Sequence, residues 1–215
     1  MLIRIAALLL TVLVVPTACG QATMVDRFRA GQHYQLIDPP VPSTAPAGKV
    51  EVVEVFSYAC PHCATFQTEI DKWKPKAPKA THFVYLPAAW NSNWEAFARA
   101  YHASDSLGIL TRSHRGLFKA IHTDRTPIRN IDDLSQWNTQ FGVTKEQYLA
   151  AFNSPETTAK IAKARELVPA YGVDATPTMI VAGKYRITGE MAGSNTTLFE
   201  VVDFLVNKEA AAKKK

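Results

Sequence analysis

The sequence predicts an α/β protein whose central mixed β-sheet is interrupted by an inserted all-helical subdomain. Three observations predict it. Two apolar runs, Val50 to Phe56 and His82 to Leu86, flank one helix-length stretch and read as a parallel pair of central strands. Helical periodicity then continues from about Trp90 to Tyr171, and strand patterns return over 178–188 before a last helix. The 215 residues suffice for one domain with an insertion, and 47% hydrophobic with 20% charged residues is ordinary for a globular chain.

Arg4 precedes an apolar segment, Ile5 to Val15, broken only by Thr11. It is too short to span a bilayer as a helix and reads as a secretory leader within residues 1–22. Ala18-Cys19-Gly20 and Gly20-Gln21-Ala22 both offer small residues ahead of a cut. Cys19 offers lipid attachment as an alternative, which the nearby Pro16 fits badly. A leader and paired cysteines agree on an oxidising compartment, and the bacterial periplasm is the simplest assignment. The formal charge of +5 does not point to nucleic acid, because Arg4 and the terminal Lys213, Lys214 and Lys215 supply most of it. No basic–aromatic interleaving supports such a partner either.

Residues 23–48 form a lead-in: His33 to Leu36 is a short edge strand, and Asp38 to Gly48 is stiffened by proline. Residues 49–88 hold strand, helix and strand, with Pro75 and Pro78 ending the helix. Lys72, Lys74, Lys76 and Lys79 around those prolines read as a solvated turn that also raises the positive potential near the helix. The insertion, 89–171, presents Trp94, Phe97, Ala98 and Tyr101 on one face and Leu110, His114, Leu117 and Phe118 on another. Trp90, Trp94 and Phe97 read as core, with an exposed tryptophan at a peptide groove as the alternative. Shorter helices follow at Asp133 to Phe141 and Lys145 to Phe152. A longer one runs from Pro155 to Leu167, behind a Ser154 N-cap and ending before Pro169 and Gly172. Residues 172–210 complete the sheet: Thr178 to Val181, a turn at Ala182-Gly183, and Lys184 to Thr188. The last helix begins near Asn195, with Thr197 and Glu200 at capping-box spacing, and buries Leu198, Val201, Val202 and Leu205. Residues 211–215 are a basic tail.

The chemistry lies in Cys60-Pro61-His62-Cys63, at the end of the first central strand. Cys60 falls at a helix N-terminus, where unpaired N–H groups and the macrodipole favour a thiolate. Pro61 suits the first helical turn. Cys63 shares the apolar stripe with Phe66, Ile70 and Trp73, which makes exposed Cys60 the nucleophile and half-buried Cys63 the resolving thiol. A structural disulfide closing so short a loop constrains the unfolded chain little. A zinc knuckle needs four ligands, and the remaining cysteine is Cys19, so no metal is expected. Glu54 shares a strand face with Val50, Val52 and Phe56. Desolvation there raises its pKa and suits it to relay a proton with Cys63.

Phe56 to Cys63, the helical insertion, and the segment Gly172 to Tyr185 with Thr176-Pro177 resemble the DsbA family of thiol:disulfide oxidoreductases over roughly residues 24–210. The resemblance implies a thioredoxin-like fold and a redox-active Cys60–Cys63 disulfide that oxidises exported proteins with free thiols, with no other cofactor. It implies reoxidation by a DsbB-like membrane quinone reductase. It places Thr176 and Pro177 in a substrate-binding cis-proline loop facing the dithiol, and a buried acid at the position of Glu54. His62, beside the Cys60 thiolate, lowers its pKa by charge or hydrogen bonding and so favours the reduced form. Thr176 and Gln67 depart from the prototype's valine and glutamate. A reductase or isomerase of the same fold is the nearest alternative. Residues 24–48 are too short for the dimerisation domain of such isomerases, so a monomer is expected. A peptide-binding chaperone of exported proteins is the remaining alternative.

Overall fold

The protein is described by a computed structural model covering residues 27–213, so the leader, Cys19 and the last two lysines lie outside the described residues. Five strands order as β1-β5-β4-β2-β3: β1 Gln35–Leu36, β2 Val50–Phe56, β3 Thr81–Pro87, β4 Thr178–Val181 and β5 Tyr185–Thr188. β2 and β3 are parallel, with Val50 opposite Thr81 and Phe56 opposite Pro87; the other pairs are antiparallel. Every residue of β2 is buried, as a central strand covered on both faces requires. The β4–β5 hairpin turns at Ala182 and Gly183, whose φ values of 54° and 64° are those of a tight primed turn. Gly183 is required there because a Cβ would lie 1.9 Å from the Val41 carbonyl oxygen.

Helix α1 (Pro61–Trp73) and the C-terminal α8 (Asn195–Ala212) cover one sheet face, burying Phe66, Ile70, Leu198, Val202 and Leu205 against Val50, Val52 and Met179. On the opposite face Val53, Val55 and Ile180 meet Ile37, Val168 and Tyr171. Between β3 and β4 run α2 (Ser92–Ser106), α3 (Leu110–His122), α4 (Ile131–Asn138), α5 (Lys145–Phe152) and α6 (Pro155–Ala170). Their core, with Phe97, Tyr101, Leu117, Phe118 and Tyr148, is continuous with Phe56, Tyr58, Cys60 and Cys63. The inserted helices therefore pack directly on the dithiol segment.

Several sequence expectations shift. α6 does not stop at Leu167 but runs through Pro169 to Ala170. Pro169 has no N–H to donate to the Arg165 carbonyl, and the helix ends one residue later. α8 is capped by Ser194, whose side chain accepts from the Thr197 N–H, rather than by a Thr197–Glu200 box, and it extends to Ala212. Lys213, expected in a frayed tail, donates from its ammonium to the Lys49 carbonyl at 2.6 Å. A short α7 (Gly189–Ala192) joins β5 to α8. Trp90 is 43% exposed, stacked on Trp94 at 4.8 Å, and so is not core.

Candidate active site

The parallel strands β2 and β3 end at the same edge of the sheet, and β4 starts there because it is antiparallel to β2. That edge gathers the residues the chemistry needs. β2 leads through Ser57 to Ala59 into Cys60, which is the N-cap of α1 with extended φ and ψ of −90° and 116°. Its Sγ accepts from the Cys63 N–H at 3.4 Å, and Pro61 takes the first helical turn. Both cysteines are free thiols, and both are buried: Cys60 is 6% exposed and Cys63 is inaccessible. Cys60 is thus less open than its place at a helix tip suggests. The inserted helices cover the tip, and the cis-proline loop crosses it.

The two sulfurs differ sharply. Cys60 is lowered from 9.0 to about 5, first by the hydrogen bond from the Cys63 thiol. The Thr176 side chain and the backbone N–H groups of Cys63 and His62 add further donors, which outweigh burial. Burial pushes Cys63 well above an ordinary thiol, and donation to Cys60 adds to it. The His62 side chain is exposed and lines the neighbouring groove, and its contribution to the Cys60 thiolate comes through its backbone.

Thr176 faces Cys60 across a cis Thr176-Pro177 bond, its carbonyl oxygen 3.4 Å from the sulfur. Beside them opens a groove of about 930 Å³ lined by His62, Thr65, Phe66, Thr176, Pro177 and Met191, among others. Glu54 lies behind the dithiol, 1% exposed, and Oε2 has no hydrogen-bond partner. Burial raises its pKa from 4.5 to about 8, against the lowering pull of Lys74.

Periodicity placed His114 on a buried face without revealing its partners. The Tyr58 hydroxyl meets His114 Nδ1 at 2.6 Å, and His114 Nε2 meets Gln67 Oε1 at 2.9 Å. Gln67 Nε2 donates to Asp71 and to the Tyr85 hydroxyl, each at 3.0 Å. Burial lowers His114 to about 3, so the ring is neutral, with Nδ1 accepting from Tyr58 and Nε2–H donating. A glutamate at position 67 would set two carboxylates against each other at Asp71, and the amide avoids this. The chain ties α3 of the insertion to α1 and to the loop before Cys60.

A helix-capping thiolate, a buried partner thiol and a facing cis-proline on a thioredoxin-like sheet define a thiol:disulfide oxidoreductase. The DSBA-like thioredoxin domain model matches residues 51–199. The thiol:disulfide interchange protein DsbA of Pseudomonas aeruginosa is 36% identical over 208 residues, covering 97% of this chain and 98% of that protein. Its counterpart in Pseudomonas syringae is 35% identical over 193 residues, 90% of each. The crystal structure of Pseudomonas aeruginosa DsbA matches with a TM-score of 0.82 at 37% identity, covering 89% of this chain and 99% of that one. Reduced DsbA1 from Neisseria meningitidis matches with a TM-score of 0.72 at 28% identity, covering 87% of this chain and 97% of that one. The chain belongs to the DsbA family of thiol:disulfide interchange proteins, which work through their own cysteine pair.

Proposed function

We propose that this protein is a periplasmic thiol:disulfide oxidase acting on exported polypeptides with free thiols. The observation that carries the direction is the Cys60 thiolate, held by four donors in the reduced form. Against a thiol of pKa 9.0, a value of about 5 leaves two decades of extra ionisation at pH 7. That favours the dithiol by at most about 2.7 kcal/mol, or about 60 mV for two electrons, before solvent screening at the sulfur. The disulfide is therefore the acceptor.

In the oxidised enzyme a substrate thiolate attacks Cys60 Sγ, the Cys60–Cys63 bond breaks, and Cys63 leaves as a thiolate. Its raised pKa means it must take up a proton at once. Glu54, at about 8, is mostly protonated at pH 7 and supplies it. A second substrate thiolate attacks the substrate sulfur of the mixed disulfide, and Cys60 departs as its stabilised thiolate. Two electrons have passed from substrate to enzyme. A DsbB-like membrane quinone reductase then takes them, while Glu54 recovers the Cys63 proton. Thr176 and Pro177 hold the extended substrate chain, since proline leaves no competing N–H and the adjacent backbone is free to pair. Residues 1–22 act as the leader, with lipid attachment at Cys19 the alternative, and the protein works as a monomer.

The reduction potential tests the direction. Equilibration with glutathione is expected to give a value more positive than roughly −200 mV, and one near the −270 mV of thioredoxins would overturn the oxidase reading.

A further inference from the structure

We infer that Lys74 is a positioning residue of the dithiol reaction: its ammonium, laid over the Tyr85 ring beside the buried Glu54, keeps that carboxyl able to give and to take the Cys63 proton. The inference rests on the reading of Glu54 as the proton carrier.

Lys74 is the C-cap of α1, the helix that begins at Cys60. A lysine at a helix C-terminus ordinarily points to water and offsets the macrodipole. Here the ammonium instead lies 4.7 Å from the Phe83 ring centroid and 5.1 Å from that of Tyr85. Tyr85 is the residue paired with Glu54 across β2 and β3, so the two side chains are neighbours on one face of the sheet. Lys74 remains an exposed residue, but its ammonium rests over these rings, on the side of a carboxyl whose Oε2 is buried without a partner. The Lys74 pKa is lowered by partial desolvation, and the neighbouring Asp71 and Glu54 charges oppose the lowering.

The groups around Glu54 leave this task to Lys74. From α1, Asp71 and the Cys60 thiolate act against ionisation of Glu54. From β3 and α2, Tyr85 and Tyr101 are neutral, their pKa values raised by burial, and His114 of α3 is neutral as well. Arg115 of α3 is turned to Asp71 Oδ2 at 2.9 Å. Among the described residues Lys74 itself makes no ion pair. Without its charge, burial, Asp71 and the thiolate would act unopposed. Glu54 would then stay protonated further into the alkaline range than in the wild type, still a competent donor to the Cys63 thiolate but a poorer acceptor when the dithiol is reoxidised.

The test is the pH dependence, from 6 to 10, of single-turnover oxidation of a dithiol peptide and of enzyme reoxidation by a small-molecule disulfide, using full-length wild type, K74M, K74R and E54Q. Methionine keeps the apolar stem over the rings and removes the charge. A limb near pH 8 is expected in the wild type and K74R, moved up by about half a unit or more in K74M, a threefold rate change on that limb. E54Q is expected to lack the limb, and K74M added to E54Q to restore no pH dependence. Carbon-13 titration of the Glu54 carboxyl reads the same shift without turnover. If E54Q keeps the limb, the Glu54 reading fails. If E54Q removes it while K74M titrates like the wild type, or K74R moves as far as K74M, the Lys74 inference fails alone.

Discussion

Replacing Glu54 with glutamine is expected to stabilise the protein, by an amount that depends on pH. A buried carboxyl at about 8, against 4.5 when exposed, binds its proton more tightly in the folded state than in the unfolded one. Below pH 4.5 both states are protonated and the group makes no difference. As pH rises from 4.5 the unfolded chain ionises while the folded one does not, so stability falls until pH passes about 8, where the loss levels off. At pH 7 the ratio of the two titrations gives a loss of about 3 kcal/mol, and above pH 8 of about 5 kcal/mol. Glu54 is 1% exposed, so solvent screening takes little from these figures. The E54Q substitution abolishes the loss at all pH values, because an amide does not titrate. Any constant cost of burying that amide appears equally at pH 4 and cancels in the difference. Urea unfolding of the reduced E54Q and wild-type proteins at pH 4, 7 and 9 reads it directly. The expected gap opens between pH 4 and 7 in favour of E54Q. A gap unchanged across that range would mean that the carboxyl is not held protonated, and the proton-relay reasoning would fall with it.

Thr176→Val removes one donor to the Cys60 thiolate. Its pKa is expected to rise by about one unit, and the potential to become more reducing by roughly 30 mV; unchanged thiolate titration would show that the hydroxyl does not reach the sulfur. His114→Leu leaves the Tyr58 hydroxyl and the Gln67 carbonyl without their partner and is expected to cost about 2–4 kcal/mol in urea unfolding. Because His114 is held near 3, the wild type should lose stability as pH falls from 6.5 towards 3, and the variant should lack that slope.

Much of this architecture could be read from periodicity alone. Val50 to Phe56 is a strand at its predicted limits, Lys145 to Phe152 a helix at its own, and Ala182-Gly183 the hairpin turn. The dithiol at the start of a helix was likewise legible, since the helix N-terminus and the apolar stripe are sequence features. Partnership was not. The spacing puts His114 on a buried face but does not say that Tyr58 and Gln67, some fifty residues earlier, complete its hydrogen bonds. A buried histidine beside a glutamine where a carboxylate was expected is the signal that could have found them. Lys74 reads as solvated because prolines surround it, and it is exposed, but only the packing of β3 shows the aromatic rings over which its ammonium lies. The exposure of Cys60 was misjudged for a related reason: what covers a helix tip is set by distant segments, here the inserted helices and the Thr176 loop.

Absorbance at 240 nm against pH, on the fully reduced protein, follows the Cys60 thiolate most directly. One thiolate should appear with a midpoint of about 5, and Cys63 should remain a thiol well into the alkaline range. A first midpoint near 9, as for a cysteine in water, would contradict the account.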